Sequence, residues 1–269
     1  MGAWKVLALA RKIPQLVKLA ADQLRFRERI DFATDELRFR KIFQKYKSFT
    51  MVPEREYVEN LRLAKHVIDI GGSIVECGTW RGGMIAGIAD VLGSSRKYYL
   101  FDSFQGLPPA KDIDGPAALE WQSSKTSPDY HDNCTASEEE ARTAMSMSVA
   151  RDYQIIKGWF DETLPTMNLQ EPIALLRMDA DWYESTKCIL DHLASFVGPG
   201  GMIIVDDYFT WESCAQAVNE FAATRRWRIR QAPHRDVCFI VISPVVSDAY
   251  AAQGDTSGVA SDHLPSETA

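Results

Sequence analysis

The chain has 269 residues, 46% of them hydrophobic and 25% charged, with a net charge of −7. That suits one large α/β domain, or two small ones, in a soluble globular protein. Its apolar runs are strand-length, which excludes a transmembrane span, and its acidic balance argues against a nucleic-acid groove.

The charge is uneven along the chain. Residues 1–47 carry 12 Lys/Arg against 5 Asp/Glu, a balance of +7 that leaves −14 for the remainder. The opening MGAWKVLALARKIPQLVK is broken by Arg11, Lys12 and Pro14, and no small-residue cleavage site follows, so it reads as a retained leader. Val6 stands where a myristoylation signal needs Ser or Thr. We expect a basic helical extension over 1–47 that packs on a partner subunit, giving a homo-oligomer, most simply a dimer. Its modest apolar face favours that role over peripheral contact with an anionic membrane.

Residues 54–69, EREYVENLRLAKHVID, place apolar positions at helical intervals and stop before Gly71-Gly72. Short β-rich runs follow: SIVECG, KYYLFD, YQIIKG, IALLRMD and GMIIVDD. Helix-length segments such as GMIAGIADVLG and ESTKCILDHLASFV separate most of them, a pattern that predicts a parallel sheet covered on both faces. RWRIRQAP and DVCFIVIS are divided only by a few residues around His234-Arg235, too short for a helical crossover, so they form an antiparallel hairpin. Five βα units closed by a hairpin is the layout of the α/β class I methyltransferase (Rossmann-like) fold. It has a mostly parallel seven-stranded sheet, a C-terminal antiparallel hairpin and helices on both faces. This domain is expected over 48–243.

Within it, 108–150 is a long insertion between the second and third strands. It opens on Pro108-Pro109, runs polar and aromatic through LEWQSSKTSPDYHDN, and turns helical at SEEEARTAMSM behind a Ser137/Glu140 capping box. Such an excursion suits a lid or substrate-binding element. The tail over 244–269, rich in Ser, Asp, Gly and Pro, is expected to be disordered. Cys77, Cys134, Cys188, Cys214 and Cys238 lack metal-ligand spacing and read as free thiols, pointing to a cytoplasmic setting.

The chemistry gathers at the strand tips, because open α/β sheets bind ligands beyond the carboxyl ends of their strands. In IVECGTWRGG, Glu76 ends the first strand and Gly78, Gly82 and Gly83 leave backbone bare around Trp80 and Arg81. The dinucleotide pattern GxGxxG is absent. A carboxylate beside free amides suits a zwitterion such as the amino-acid end of S-adenosylmethionine, while a surface acid at a plain turn is the alternative. In LFDSFQGLP, Asp102, followed by Ser103, is placed to accept from both ribose hydroxyls, or else to cap a turn. Gly158-Trp159 offers backbone and a stacking face to adenine, or ordinary packing.

RMDADWYEST and IIVDDYF add Asp179 and Asp181 after the fourth strand and Asp206-Asp207 after the fifth. Converging carboxylates repel unless a cation neutralises them. Oxygen ligands without His or Cys select Mg²⁺ or Ca²⁺. Side-chain alternation directs Asp181 away from the site that Asp179 faces. Of the histidines, only His131 and His234 are placed to reach the sheet edge as an alternative base, against His66, His192 and His263.

Together with TMV at 50–52, the motifs VECGTWRGG, LFDSFQGLP, RMDADWYEST and VDDY resemble the macrocin O-methyltransferase (TylF-like) family from about residue 45 to 242. The resemblance implies transfer of a methyl group from S-adenosylmethionine, with Mg²⁺, to a sugar hydroxyl. The acceptor would be a glycosylated natural product or a polysaccharide. By it, Asp179, Asp206 and Asp207 are the metal ligands, Asp179 is also the base, and Thr50 and Met51 close over the donor. A catechol-type O-methyltransferase shares this metal chemistry. A nucleotide-dependent oxidoreductase and a non-catalytic donor-binding module are further alternatives, disfavoured by the missing GxGxxG and by the acidic triad.

Overall fold

The computed structural model describes residues 32–233 and 237–243, apart from the side chain of Asp129. The leader over 1–31, the hairpin turn at His234-Arg235 and the tail over 244–269 lie outside the described residues. The described residues begin with a helix over 32–46 (α1) and continue through α2 (Glu54–Lys65), β1 (Ser73–Cys77), α3 (Gly83–Leu92) and β2 (Lys97–Asp102). The segment after β2 carries α4 (Gly115–Ser123) and α5 (Glu138–Met147) before β3 (Asp152–Lys157). The second half runs α6 (Phe160–Thr163), β4 (Ile173–Met178), α7 (Tyr183–Leu193), β5 (Val197–Val205), α8 (Glu212–Arg225), β6 (Arg230–Gln231) and β7 (Cys238–Val241).

The seven strands lie in the order β3-β2-β1-β4-β5-β7-β6. β1 to β5 pair in parallel, and β7 pairs antiparallel with both β5 and β6. The expected seven-stranded sheet with its terminal hairpin is therefore present. Successive strand residues face opposite layers: Ile74 and Leu100 point into a core shared with α1, α2, α3 and α5, while Val75 and Phe101 join α7 and α8 on the other side. The order reverses between β1 and β4, the switch point where such sheets leave a crevice.

Two expectations shift here. Phe39, Ile42 and Tyr46 of α1 are buried in the first core, so the fold begins before residue 48. The basic side chains that suggested an extension packed on a partner subunit are partly spent within the chain itself: Lys45 pairs with Asp90 at 2.7 Å, and Arg40 with Glu36 and Glu54. The second shift divides the insertion. α5, capped as expected by Ser137 and Glu140, buries Ala141, Ala144 and Met145 and serves as the crossover helix between parallel β2 and β3. Only the stretch before it, 108–134, borders the crevice. All five cysteines are free, and among the described residues no helix is long and apolar enough to cross a membrane.

Candidate functional site

A cavity of about 680 Å³ lies beyond the carboxyl ends of β1, β2 and β4, lined by residues from every segment that the motifs marked. At its base is Glu76, 1% exposed. Its Oε1 accepts from Arg177 at 3.0 Å, while Oε2 has no partner. Burial pushes this carboxyl up to about 8, with Arg177 pulling the other way. Gly78 next to it has φ +84, and a Cβ there would fall 1.6 Å from the carbonyl oxygen of Asp179, so only glycine lets β1 and β4 leave the sheet this closely.

Asp102 caps the following turn. Its Oδ2 accepts from the Trp80 N–H and its Oδ1 from the Phe104 N–H, each at 2.7 Å. Both donors belong to residues at positive φ, 49° and 55°. Burial raises the Asp102 carboxyl and these N–H groups oppose the rise. Ser103 is spent on the same turn, donating to Gly106 and accepting from Gln105. Thr50, Met51, Trp80, Gly158 and Trp159 also line the cavity. Arg81, Gly82 and Gly83, expected at the donor, do not line it. Arg81 pairs with Glu140 at 3.0 Å and covers the Trp80 ring. A Cβ on Gly82 would crowd Ala141 of α5, and one on Gly83 would crowd the Phe49 backbone. Those two glycines serve protein packing, a use that the motif alone does not distinguish from ligand approach.

Arg177 was not among the candidates, yet it organises the site. It lies on β4 opposite Glu76 in register and is 1% exposed. One terminal nitrogen reaches Glu76 and Asp179, each at 3.0 Å, the other reaches Asp206 at 2.5 Å, and Nε donates to Asn60 of α2 at 3.1 Å. Burial works to lower its pKa, and the three carboxylates outweigh it. A signal was present, since an arginine inside the apolar run IALLRM must find partners where the strand is covered on both faces.

Asp206, expected as a metal ligand, thus turns Oδ1 onto Arg177. The carboxylates whose oxygens converge, within 4.8 Å of one another, are Asp179, Asp181 and Asp207. Alternation misplaced Asp181 because β4 ends at Met178, and Asp181 adopts φ +55 beyond it. Its Oδ1 accepts from the Trp211 indole at 2.9 Å. Asp207 Oδ2 accepts from the N–H groups of Ala180 and Asp181, each at 3.0 Å, and so fixes the loop that carries them. Burial and mutual repulsion raise Asp179 to about 6, Asp181 to about 7 and Asp207 well above the usual carboxylate range. Three oxygen donors held in this way are chemically suited to a hard divalent cation. His131 lines the cavity, while His234 lies outside the described residues.

The wall opposite β1 comes from 108–134. Trp182 Nε1 donates to the Pro108 carbonyl at 3.0 Å, and Asp114 Oδ1 accepts from the Tyr183 N–H at 2.9 Å, fastening this segment to the start of α7. Gln122 binds Ala110, Pro108 and Asn133 within it. Trp121, Trp182 and Trp211 meet edge to face, with centroids 5.1–6.2 Å apart.

A switch-point cavity with a buried acid on β1, an acid ending β2 and an acidic cluster after β4 and β5, closed by an antiparallel hairpin, defines the class I methyltransferase type of α/β protein. The macrocin-O-methyltransferase (TylF) family matches residues 16–233, and the chain belongs to that family. It is 37% identical over 180 residues to demethyldecarbamoylnovobiocin O-methyltransferase of Streptomyces niveus, covering 62% of this chain and 65% of that protein. It is 31% identical over 159 residues to the 8-demethyl-8-(2,3-dimethoxy-alpha-L-rhamnosyl)-tetracenomycin-C 4'-O-methyltransferase of Streptomyces olivaceus, covering 56% and 58%. The match thus spans less than two thirds of either relative. The solved O-methyltransferase NovP superposes with a TM-score of 0.62 at 30% identity, over 73% of this chain and 83% of that one.

Proposed function

We propose that the protein is a Mg²⁺-dependent O-methyltransferase that carries the methyl group of S-adenosylmethionine to a sugar hydroxyl of a glycosylated small molecule or a polysaccharide. The observation that carries this reading is Glu76 Oε2, a buried acceptor without a partner on a residue that lines the cavity. An unpaired buried carboxylate oxygen is costly, and the ammonium of an amino-acid ligand answers it. Gly78, Trp80, Thr50 and Met51 would surround that end. Asp102 would use the remaining lone pairs of its two oxygens on the ribose, and Gly158 and Trp159 would meet the base.

When bound, the donor supplies a methyl group activated by its sulfonium. Asp179, Asp181 and Asp207 would hold Mg²⁺, which as a hard Lewis acid makes an acceptor hydroxyl more acidic. Asp206 remains with Arg177 in this arrangement and supports the cluster through it. Arg177 engages Oδ2 of Asp179, and this carboxylate would receive the hydroxyl proton as general base while the donor's sulfur–methyl bond breaks and the new oxygen–methyl bond forms. The sugar assignment rests on family membership and on the rhamnosyl group in the name of one relative.

The test is a methyl-transfer screen with labelled donor against sugars, glycosides and catechols, with and without EDTA. Transfer to a glycoside that EDTA abolishes and Mg²⁺ restores is the expected result. Preference for catechols would move the acceptor class, and full activity in EDTA would remove the metal. Binding of NAD without binding of S-adenosylhomocysteine would overturn the reading as a whole.

A further inference from the structure

We propose that the side-chain hydroxyl of Thr79 is a further binding group in the cavity, donating a hydrogen bond to the carboxylate of the amino-acid ligand whose ammonium Glu76 would meet. This rests on the function proposed above and deepens its account of the methyl donor. Among the described residues, six buried side-chain atoms have no hydrogen-bond partner, and only two of them belong to residues that line the cavity: Glu76 Oε2 and Thr79 Oγ1. Thr79 is 4% exposed, and a buried hydroxyl left unpaired is costly. Only Cys77 and Gly78 separate the two residues in sequence. Their unpaired atoms are complementary in kind, since a carboxylate oxygen accepts while a hydroxyl can donate. An amino acid carries its ammonium and its carboxylate on one carbon, so it answers both atoms at once.

From the sequence, the amides of IVECGTWRGG would meet that carboxylate, but most of them are already spent within the protein. Gly78 N–H donates to the Phe101 carbonyl, Gly82 N–H to the Thr79 carbonyl and Gly83 N–H to the Phe49 carbonyl, each at 2.9 Å. Trp80 N–H donates to Asp102 at 2.7 Å, and Thr79 N–H is directed at the same carboxylate. With its N–H and carbonyl both engaged, Thr79 has its hydroxyl left for a ligand, on a turn that these bonds hold in place. The side chain is β-branched and stiff at χ1, so little rotamer freedom is lost when the hydroxyl binds. It is also neutral, and so it adds a donor for the ligand's carboxylate without competing with the ammonium for Glu76.

The experiment titrates the full chain with S-adenosylhomocysteine and with decarboxylated S-adenosylhomocysteine, which keeps the nucleoside, the thioether and the ammonium. Wild type should bind the first more tightly. Thr79→Val, close to threonine in shape, should weaken S-adenosylhomocysteine about tenfold, the scale of one hydrogen bond to a charged group, and leave the decarboxylated ligand within about twofold. Thr79→Ala should show the same difference between the ligands, so the outcome does not depend on the packing of one variant. Thr79→Ser, which restores the hydroxyl, should bind S-adenosylhomocysteine within about threefold of wild type. An equal loss for both ligands would put the hydroxyl on the nucleoside and overturn the inference. So would an unchanged affinity for S-adenosylhomocysteine in Thr79→Val, or a wild type that binds both ligands alike. A wild type that binds no S-adenosylhomocysteine would instead strike the proposed function.

Discussion

The two ends of the cavity are built on different principles. At the end proposed for the donor, Glu76 and Asp102 lie at or next to the tips of adjacent parallel strands, and their places follow from sheet register and a glycine that permits close approach. At the end proposed for the acceptor, Trp121, Asp114 and His131 come from the 108–134 segment, held by hydrogen bonds to the start of α7. A strand tip is positioned by a whole sheet, whereas the 108–134 segment is positioned by a few contacts. The first end suits a constant ligand and the second suits one that varies between relatives. Arg177 and the acidic cluster form the seam between them.

The largest effect is expected from removing the proposed base at the seam. Asp179→Asn should lower kcat by about 10²–10⁴-fold, the range for loss of general-base catalysis, while S-adenosylhomocysteine stays within about tenfold by calorimetry. Near-normal turnover, with His131→Ala inactive, would hand the base to a histidine. Arg177→Met tests the seam as structure. It strands three carboxylates around a buried gap and should cost on the order of 3–5 kcal/mol in urea denaturation, with part recovered in the double variant Arg177→Met/Glu76→Gln. An unchanged midpoint would mean that the guanidinium organises nothing.

Metal dependence sharpens the picture further. Asp181→Asn should raise the Mg²⁺ concentration needed for half-maximal activity by about 10–100-fold, as for a disturbed ligand set, and Asp206→Asn should raise it less. The reverse order would restore Asp206 to the first rank of ligands. The smallest effect belongs to packing alone: Ser137→Ala removes the α5 cap and should cost about 1 kcal/mol of stability, with kcat/KM unchanged.

The contrast also explains what was legible in the chain. Sheet, hairpin and strand-tip acids could be read because apolar runs and their terminal carboxylates are local signals. The place of α1 could not, since its basic surface drew attention from Phe39, Ile42 and Tyr46 on its buried side. Asp181 was misdirected by extending strand alternation past the last residue of β4, into a turn at positive φ. The tryptophan wall was invisible for a different reason. Its members are up to 90 residues apart, and only the folded 108–134 segment brings Trp121 onto Trp182 and Trp211. Gly82 and Gly83 looked like ligand-facing backbone and proved to be contact points for α5 and the segment before α2.

In the proposed function the unpaired oxygen of Glu76 would meet the ammonium of the methyl donor. The most direct test is calorimetric titration of wild type and Glu76→Gln with S-adenosylhomocysteine. Wild type should bind one equivalent, and Glu76→Gln should bind roughly 10–100-fold more weakly, the scale of one charge-assisted hydrogen bond. Equal affinity in the two proteins, or no affinity in the wild type, would contradict it.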